Sequence, residues 1–137
     1  MKAVFFDIDG TLLTDHRTVS KSTILAINQL KARGILVGLA TGRDPRFILQ
    51  YMASLGLYMA VAYNGQYIFT RDEVVFSQPI EKEDIDKMIA YAEKFQRDLS
   101  FGTALGVVGS GIMSMGTGNF AYRFSRMVPE VCAGFVN

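Results

Sequence analysis

Two hydrophobic periods alternate along the first 98 residues of this chain. Residues 2–6, KAVFF, run apolar after the lysine without polar alternation, as expected of a short strand covered on both faces in a parallel sheet. Ile24, Leu25, Ile27 and Leu30 then recur at helical spacing behind Ser20, which suits an N-cap, and Gly34 supplies the stop. The segment ILVGLA at 35–40 reads as a second buried strand and runs into TGRDP, where Asp44 fits an N-cap and Pro45 the first helical position. Phe47, Ile48, Met52 and Leu55 predict the inner face of the next helix, which ends at Gly56, and YMAVAY at 58–63 predicts a third strand.

Strand, helix, strand, helix, strand implies right-handed crossovers and an α/β fold with a parallel sheet, and such sheets place ligands beyond the carboxyl ends of their strands. Asp7, Thr41 and Asn64 each follow one of those ends. Residues 34 and 23 positions apart are therefore expected to meet in one crevice. Beyond Asn64-Gly65, QYIFT and EVVFSQ read as a hairpin about Arg71-Asp72, although this turn lacks the favoured glycine. Residues 83–97 predict an amphipathic helix with Ile85, Met88, Ile89, Ala92 and Phe95 on one face, the start of a second unit. The expected division is 1–80 and 81–137.

The pattern changes at residue 99. Of the last 39 residues only Arg123, Arg126 and Glu130 are charged, and residues 99–122 carry no charge. A membrane span is the sharp reading of that stretch, with Gly102 and Gly106 spaced as in a helix-packing motif. Half of its 24 residues are Gly, Ser, Thr or Asn and no basic flank anchors both ends, so short glycine-broken strands or a poorly ordered tail are expected instead. Met113, Met115 and Met127 read as packing material rather than a ligand set.

Composition narrows the partners. With 137 residues, 14 Lys and Arg against 13 Asp and Glu, the chain has no electrostatic footprint for nucleic acid or an anionic membrane, which leaves small molecules. A single cysteine, Cys132, excludes an intrachain disulfide framework and reads as a small buried side chain, and the apolar run before Asp7 is too short for a signal peptide. A cytoplasmic location is expected.

The chemistry concentrates at residues 7–11, DIDGT, where the first strand ends. Alternation puts Asp7 and Asp9 on one side of an extended chain, where their charges repel, so something positive is expected between them and a bound cation is the natural candidate. The plainer alternative makes both carboxylates strand-end caps or turn formers. Gly10 allows a sharp turn, and Thr11 is expected to cap that turn or a loop. His16, the only histidine, lies in the polar segment TDHRT and reads as surface.

DIDGT after a strand, the ATGR that ends the second strand and the Asn64-Gly65 after the third together resemble the haloacid dehalogenase superfamily of phosphohydrolases, in particular its Cof-type sugar-phosphatase branch. The resemblance covers residues 1 to 98. It implies the first part of a Rossmann-like core followed by the beginning of an α+β cap, and a Mg2+-dependent phosphomonoester hydrolase acting on a small phosphorylated metabolite. By that resemblance Asp7 is the nucleophile that becomes a phosphoaspartate and a metal ligand through its other oxygen. Asp9 is the general acid and base, and its backbone carbonyl a further metal ligand. Thr41 and the Gly42 N–H would hold the transferring phosphoryl oxygens, although Thr41 could instead only cap the following helix. Arg43 either touches the substrate phosphate or is a solvated or ion-paired side chain. Asn64 lines the site, or merely forms a turn with Gly65.

The family completes its site with a lysine and an acidic G-D-x-x-N-D segment, and this chain has neither: its lysines after Asn64 are Lys82, Lys87 and Lys94, and no aspartate follows Asp98. Three explanations are open: a truncated or frame-shifted form of a longer protein, complementation by another chain, or a relative that binds phosphate without turning it over. The competing functions are accordingly a non-catalytic phosphate- or metal-binding fragment and a phosphomutase. Self-association is also expected, because an unfinished sheet exposes an edge.

Overall fold

Three parallel strands and an antiparallel hairpin build one five-stranded sheet in this computed structural model, which describes residues 2–109. The strands are β1 (Ala3–Phe6), β2 (Leu36–Ala40), β3 (Met59–Ala62), β4 (Tyr67–Thr70) and β5 (Val74–Ser77), and they lie side by side in that order. β1 pairs with β2 and β2 with β3 in parallel, while β3–β4 and β4–β5 are antiparallel. Helices α1 (Lys21–Ala32) and α2 (Pro45–Leu55) make the two crossovers. Register places Phe6 beside Leu39 and Ala40 beside Val61, so the carboxyl ends of the first three strands stand nearly level. Asp7, Thr41 and Asn64 thus each follow the end of one of three neighbouring strands.

Local chemistry accounts for each boundary. The Ser20 hydroxyl accepts from the Thr23 N–H at 3.1 Å and starts α1, and Asp44 Oδ1 accepts from the Phe47 N–H at 3.0 Å and starts α2 one residue before Pro45. Gly56 ends α2 in the left-handed conformation. The hairpin turn at Arg71-Asp72 closes without glycine because the Thr70 hydroxyl accepts from the N–H groups of Asp72 and Glu73 at 3.2 and 3.1 Å. Leu39, Ala60 and Ala62 of the central strands, Ile48 and Met52 of α2, and Ile27 of α1 form the core, joined by Ile8 and Leu12 from the turn after β1.

The described residues fall into two compact units that divide between Ser77 and Gln78. The second contains α3 (Lys82–Lys94) and a hairpin of β6 (Ser100–Thr103) and β7 (Gly106–Gly109). Residues 99–109 thus form the short glycine-containing strands expected of them. The rest of the charge-poor segment, with Met113, Met115, Met127, Arg123, Arg126, Glu130 and Cys132, lies outside the described residues. Among those described, no helix is long and apolar enough to cross a membrane.

Several expectations are corrected. Among the described residues β1 lies at the edge of the sheet and Phe5 is 40% exposed, so the KAVFF run is not covered on both faces there: an apolar run does not by itself report what packs on each side. In α1 only Ile27 is buried, while Ile24 and Leu25 are exposed. Phe47 does not share the inner face of α2 with Ile48, Met52 and Leu55 but sits half-buried beside it. α3 ends at Lys94 rather than residue 97, because Gln96 turns left-handed, and it buries Ile85 and Ala92 while Met88 and Phe95 stay exposed.

Candidate functional site

The chain does not run extended past Asp7. From Ile8 to Leu12 it winds through a single wide turn, closed by backbone bonds from Leu12 N–H to Asp7 C=O at 3.1 Å and from Leu13 N–H to Ile8 C=O at 3.0 Å. Ile8 is completely buried in the core, between exposed Asp7 and Asp9. Gly10 takes φ +76°, the conformation its missing Cβ permits. Thr11 does not cap this turn: its side chain is exposed and the backbone alone closes the loop. The chain then folds back through a small hairpin in which Leu13 bridges Val19 and the Thr14 and Thr18 hydroxyls meet at 3.0 Å. Arg17 and exposed His16 lie at its tip, with Arg17 at φ +57°.

Asp7 is exposed at the end of β1, and among the described residues no side chain donates a hydrogen bond to its carboxylate. Asp9 is placed differently. Arg43 meets both of its oxygens, with Nε 2.8 Å from Oδ2 and Nη2 3.0 Å from Oδ1. Those hydrogen bonds hold the Asp9 carboxyl below its ordinary range, slight desolvation opposes them, and the positive charges of Arg43 and then Arg17 add to the lowering. The same pairing raises Arg43. The positive group expected beside the acidic pair is thus, for Asp9, a guanidinium supplied by the TGR segment. The sequence leaves Arg43 open between phosphate contact and a solvated or ion-paired side chain; the structure shows it ion-paired to Asp9.

The loops after β2 and β3 interlock around Thr41. Its backbone N–H donates to Val61 C=O at 2.9 Å, its C=O accepts from Asn64 N–H at 3.1 Å, and its hydroxyl accepts from Arg43 N–H at 3.3 Å. Thr41 therefore caps its own turn, while Asp44 caps the helix. A Cβ on Gly42 would stand 3.0 Å from Asn64 Oδ1 and 3.3 Å from Nδ2, so the Asn64 amide packs directly on the Gly42 backbone. Tyr63 and Asn64 both adopt positive φ, +49° and +56°, ahead of Gly65 at +101°. For bulky Tyr63 this is a strained conformation, of the kind that concentrates at functional sites. The structure brings Asp9 to Arg43, and Asn64 to Thr41 and Gly42.

Sequence reasoning missed Phe47 and Tyr51. The Arg43 guanidinium carbon lies 4.7 Å over the centre of the Phe47 ring, and Phe47 meets Tyr51 at 5.4 Å between ring centres with a 54° tilt. The 47, 51 spacing was the available signal for the ring pair, since residues four apart share a helix face, whereas Arg43 precedes the N-cap and its place over Phe47 is not signalled by spacing.

The donors suit one class of metal. Asp7 and Asp9 offer oxygen only, and among the described residues no three His, Cys, Asp or Glu side chains gather as a metal site. With the Asp9 carboxylate engaged by Arg43, the Asp7 carboxylate and the Asp9 backbone carbonyl are the donors at hand. Such a set fits a hard ion that keeps most of its water, as Mg2+ does, rather than one needing a closed protein cage.

Comparisons with known proteins place the chain in a family. A family model described as haloacid dehalogenase-like hydrolase matches residues 4–130, continuing through the charge-poor segment. "Putative phosphatase YkrA" of Bacillus subtilis (strain 168) is 28% identical over 100 residues, 73% of this chain and 39% of that protein. A solved structure of a hypothetical protein from Geobacillus kaustophilus HTA426 is 37% identical with a TM-score of 0.76, covering 82% of this chain and 44% of the other. That of the HAD subclass IIB sugar phosphatase BT4131 is 30% identical with a TM-score of 0.67, covering 80% and 44%. The chain thus spans about two fifths of the length of these relatives.

Proposed function

The chain belongs to the haloacid dehalogenase-like hydrolases, and on that premise we propose that it carries the nucleophile side of a Mg2+-dependent phosphomonoesterase acting on a small phosphorylated metabolite, such as a sugar phosphate. Residues 1–80 are then the first part of the catalytic core and residues 81–137 the beginning of a cap. The observation that supports this most is the contrast between the two carboxylates: Asp7 is open at a strand end, while Asp9 is held by a guanidinium from the neighbouring strand's loop.

An Asp7 oxygen attacks phosphorus and the bond to the ester oxygen breaks, leaving a phosphoaspartate. The leaving alcohol takes its proton from Asp9. Water then attacks the acyl phosphate, Asp9 takes a proton from it, and inorganic phosphate leaves with Asp7 regenerated. Mg2+, held by Asp7 and the Asp9 carbonyl, would offset the negative charge of nucleophile and phosphate. Thr41 and the Gly42 N–H donate to the transferring phosphoryl oxygens, with Asn64 packed behind them. Arg43 spends two of a guanidinium's five N–H groups on Asp9, leaving three for the substrate anion. Its pairing favours the base half of the cycle, because a guanidinium stabilises Asp9 in its ionised form.

The pure 137-residue chain is expected to release p-nitrophenol from p-nitrophenyl phosphate with Mg2+, and Asp7→Asn to abolish it. A second reading, a phosphate binder without turnover, draws on the sequence: no aspartate follows Asp98, and Lys82 and Lys87 pair with Asp86 and Asp84 on α3. A chain that shifts the 31P signal of inorganic phosphate yet turns over no ester is the outcome that selects it. A rate that depends on added sugar bisphosphate would mark a phosphomutase instead.

A further inference from the structure

Arg43 is gripped from two sides by groups with different geometric demands. On one side Asp9 takes its Nε and Nη2 edge in a two-point fork, which requires the guanidinium plane to contain the carboxylate. On the other side the guanidinium carbon lies 4.7 Å over the centre of the Phe47 ring, and Tyr51 supports Phe47 one helical turn further along α2. Stacking and in-plane hydrogen bonding do not compete on a guanidinium, because its donors point outward in the plane while its faces are available to a ring. The ring therefore removes the rotations that would take the fork out of line with Asp9.

The ladder does not serve the core. Arg43, Phe47 and Tyr51 are all partly exposed, whereas Ile48, Met52 and Leu55 of the same helix supply its buried face. Phe47 keeps only part of its surface in solvent and the Arg43 side chain is 39% exposed, so their contact lies at the rim of the helix's buried face rather than within it. The arginine reaches back over 34 positions to a residue of the DIDGT turn, which makes α2 the element that orients Asp9.

We infer that Phe47, supported by Tyr51, is a positioning residue that presents the Arg43 guanidinium in the plane of the Asp9 carboxylate and so fixes the orientation of that carboxylate at the crevice. The assignment rests on the phosphatase reading for its catalytic meaning, but the geometry is independent of turnover.

In the full chain labelled with 15N-arginine, the Arg43 Nε–H signal, assigned by its loss in Arg43→Lys, is expected to show slow exchange with water and hindered rotation, both lost in Asp9→Asn. Phe47→Ala and Phe47→Leu are expected to lose that signature while the backbone spectrum stays folded, and Phe47→Tyr to keep it. An unchanged Arg43 signal in Phe47→Leu would overturn the inference, because Leu keeps bulk without a π face. Phe47→Leu also covers the case in which Phe47→Ala fails to fold. Asp7→Asn is expected to leave the signature untouched while abolishing ester hydrolysis, so a failure of the phosphatase reading is distinguishable from a failure of the ladder.

Discussion

Arg43 holds Asp9 with two parallel hydrogen bonds of 2.8 and 3.0 Å, a contact that ties the loop after β2 to the turn after β1. Both side chains are substantially solvated, at 39% and 51% exposure, so the pair's worth lies in orientation more than in stability. Its partners give the site a fixed charge pattern: an ion-paired Asp9 beside an Asp7 that no described side chain engages.

That pairing carries a pH prediction. Asp9 has its folded carboxyl lowered by the Arg43 hydrogen bonds, so its stabilising contribution is present above the unfolded-state value and is lost as pH falls through the folded one. Arg43→Gln is expected to return the Asp9 titration, followed by carboxyl 13C NMR, toward the ordinary aspartate range. Arg43→Lys is expected to restore only part of the lowering, because an ammonium supplies charge without the fork. Raising the salt concentration should shrink the difference between wild type and Arg43→Gln.

Gly38 leaves no room for a side chain between β1 and β3. A Cβ there would meet Phe5 ring carbons at 2.6 and 2.8 Å and the Met59 backbone oxygen at 2.9 Å. Gly38→Ala is expected to destabilise the chain by about 1–3 kcal/mol, the usual cost of overpacking. Urea unfolding measures that loss, and amide exchange at residues 3–6 is expected to rise with it as Phe5 is displaced.

Ile8 couples the core to the acidic turn, since it is fully buried between Asp7 and Asp9 in sequence. Ile8→Ala is expected to cost about 2–5 kcal/mol, as other large-to-small core substitutions do. Because the turn loses its anchor, the Arg43 Nε–H signature should weaken in the same variant under conditions where it remains folded. A stable variant with an unaltered signature would show that the turn holds its shape without this side chain.

Asp44 is the cap of α2 and touches neither Asp9 nor Arg43 by hydrogen bond. Asp44→Ala is expected to lower stability by about 1 kcal/mol, the typical value of an N-cap. Asp44→Ser, which keeps an acceptor, should recover most of it in thermal unfolding. Both variants test whether the helix that carries Phe47 and Tyr51 is secured locally or through the sheet.

Local chemistry wrote much of this protein plainly in its residues. Ser20, Asp44 and Pro45 mark helix starts and Gly34 and Gly56 helix ends because capping and left-handed φ are properties of a few adjacent atoms. The two crossovers followed from the alternation of strand and helix periods, and with them the position of Asp7, Thr41 and Asn64 just past the ends of neighbouring strands. Three things escaped that reading because they depend on which distant groups become neighbours. The chain winds into a turn after Asp7 that seats Ile8 in the core, where the apolar pattern alone suggested a strand end. Among the described residues strand order leaves β1 at an edge, where an apolar run is half exposed despite its composition. Folding alone could decide that Asp9's positive partner among the described residues is Arg43, and that Phe47 turns away from the core to lie beneath it. A charge's pairing is set by distances across the assembled sheet, and no spacing along the chain specifies them.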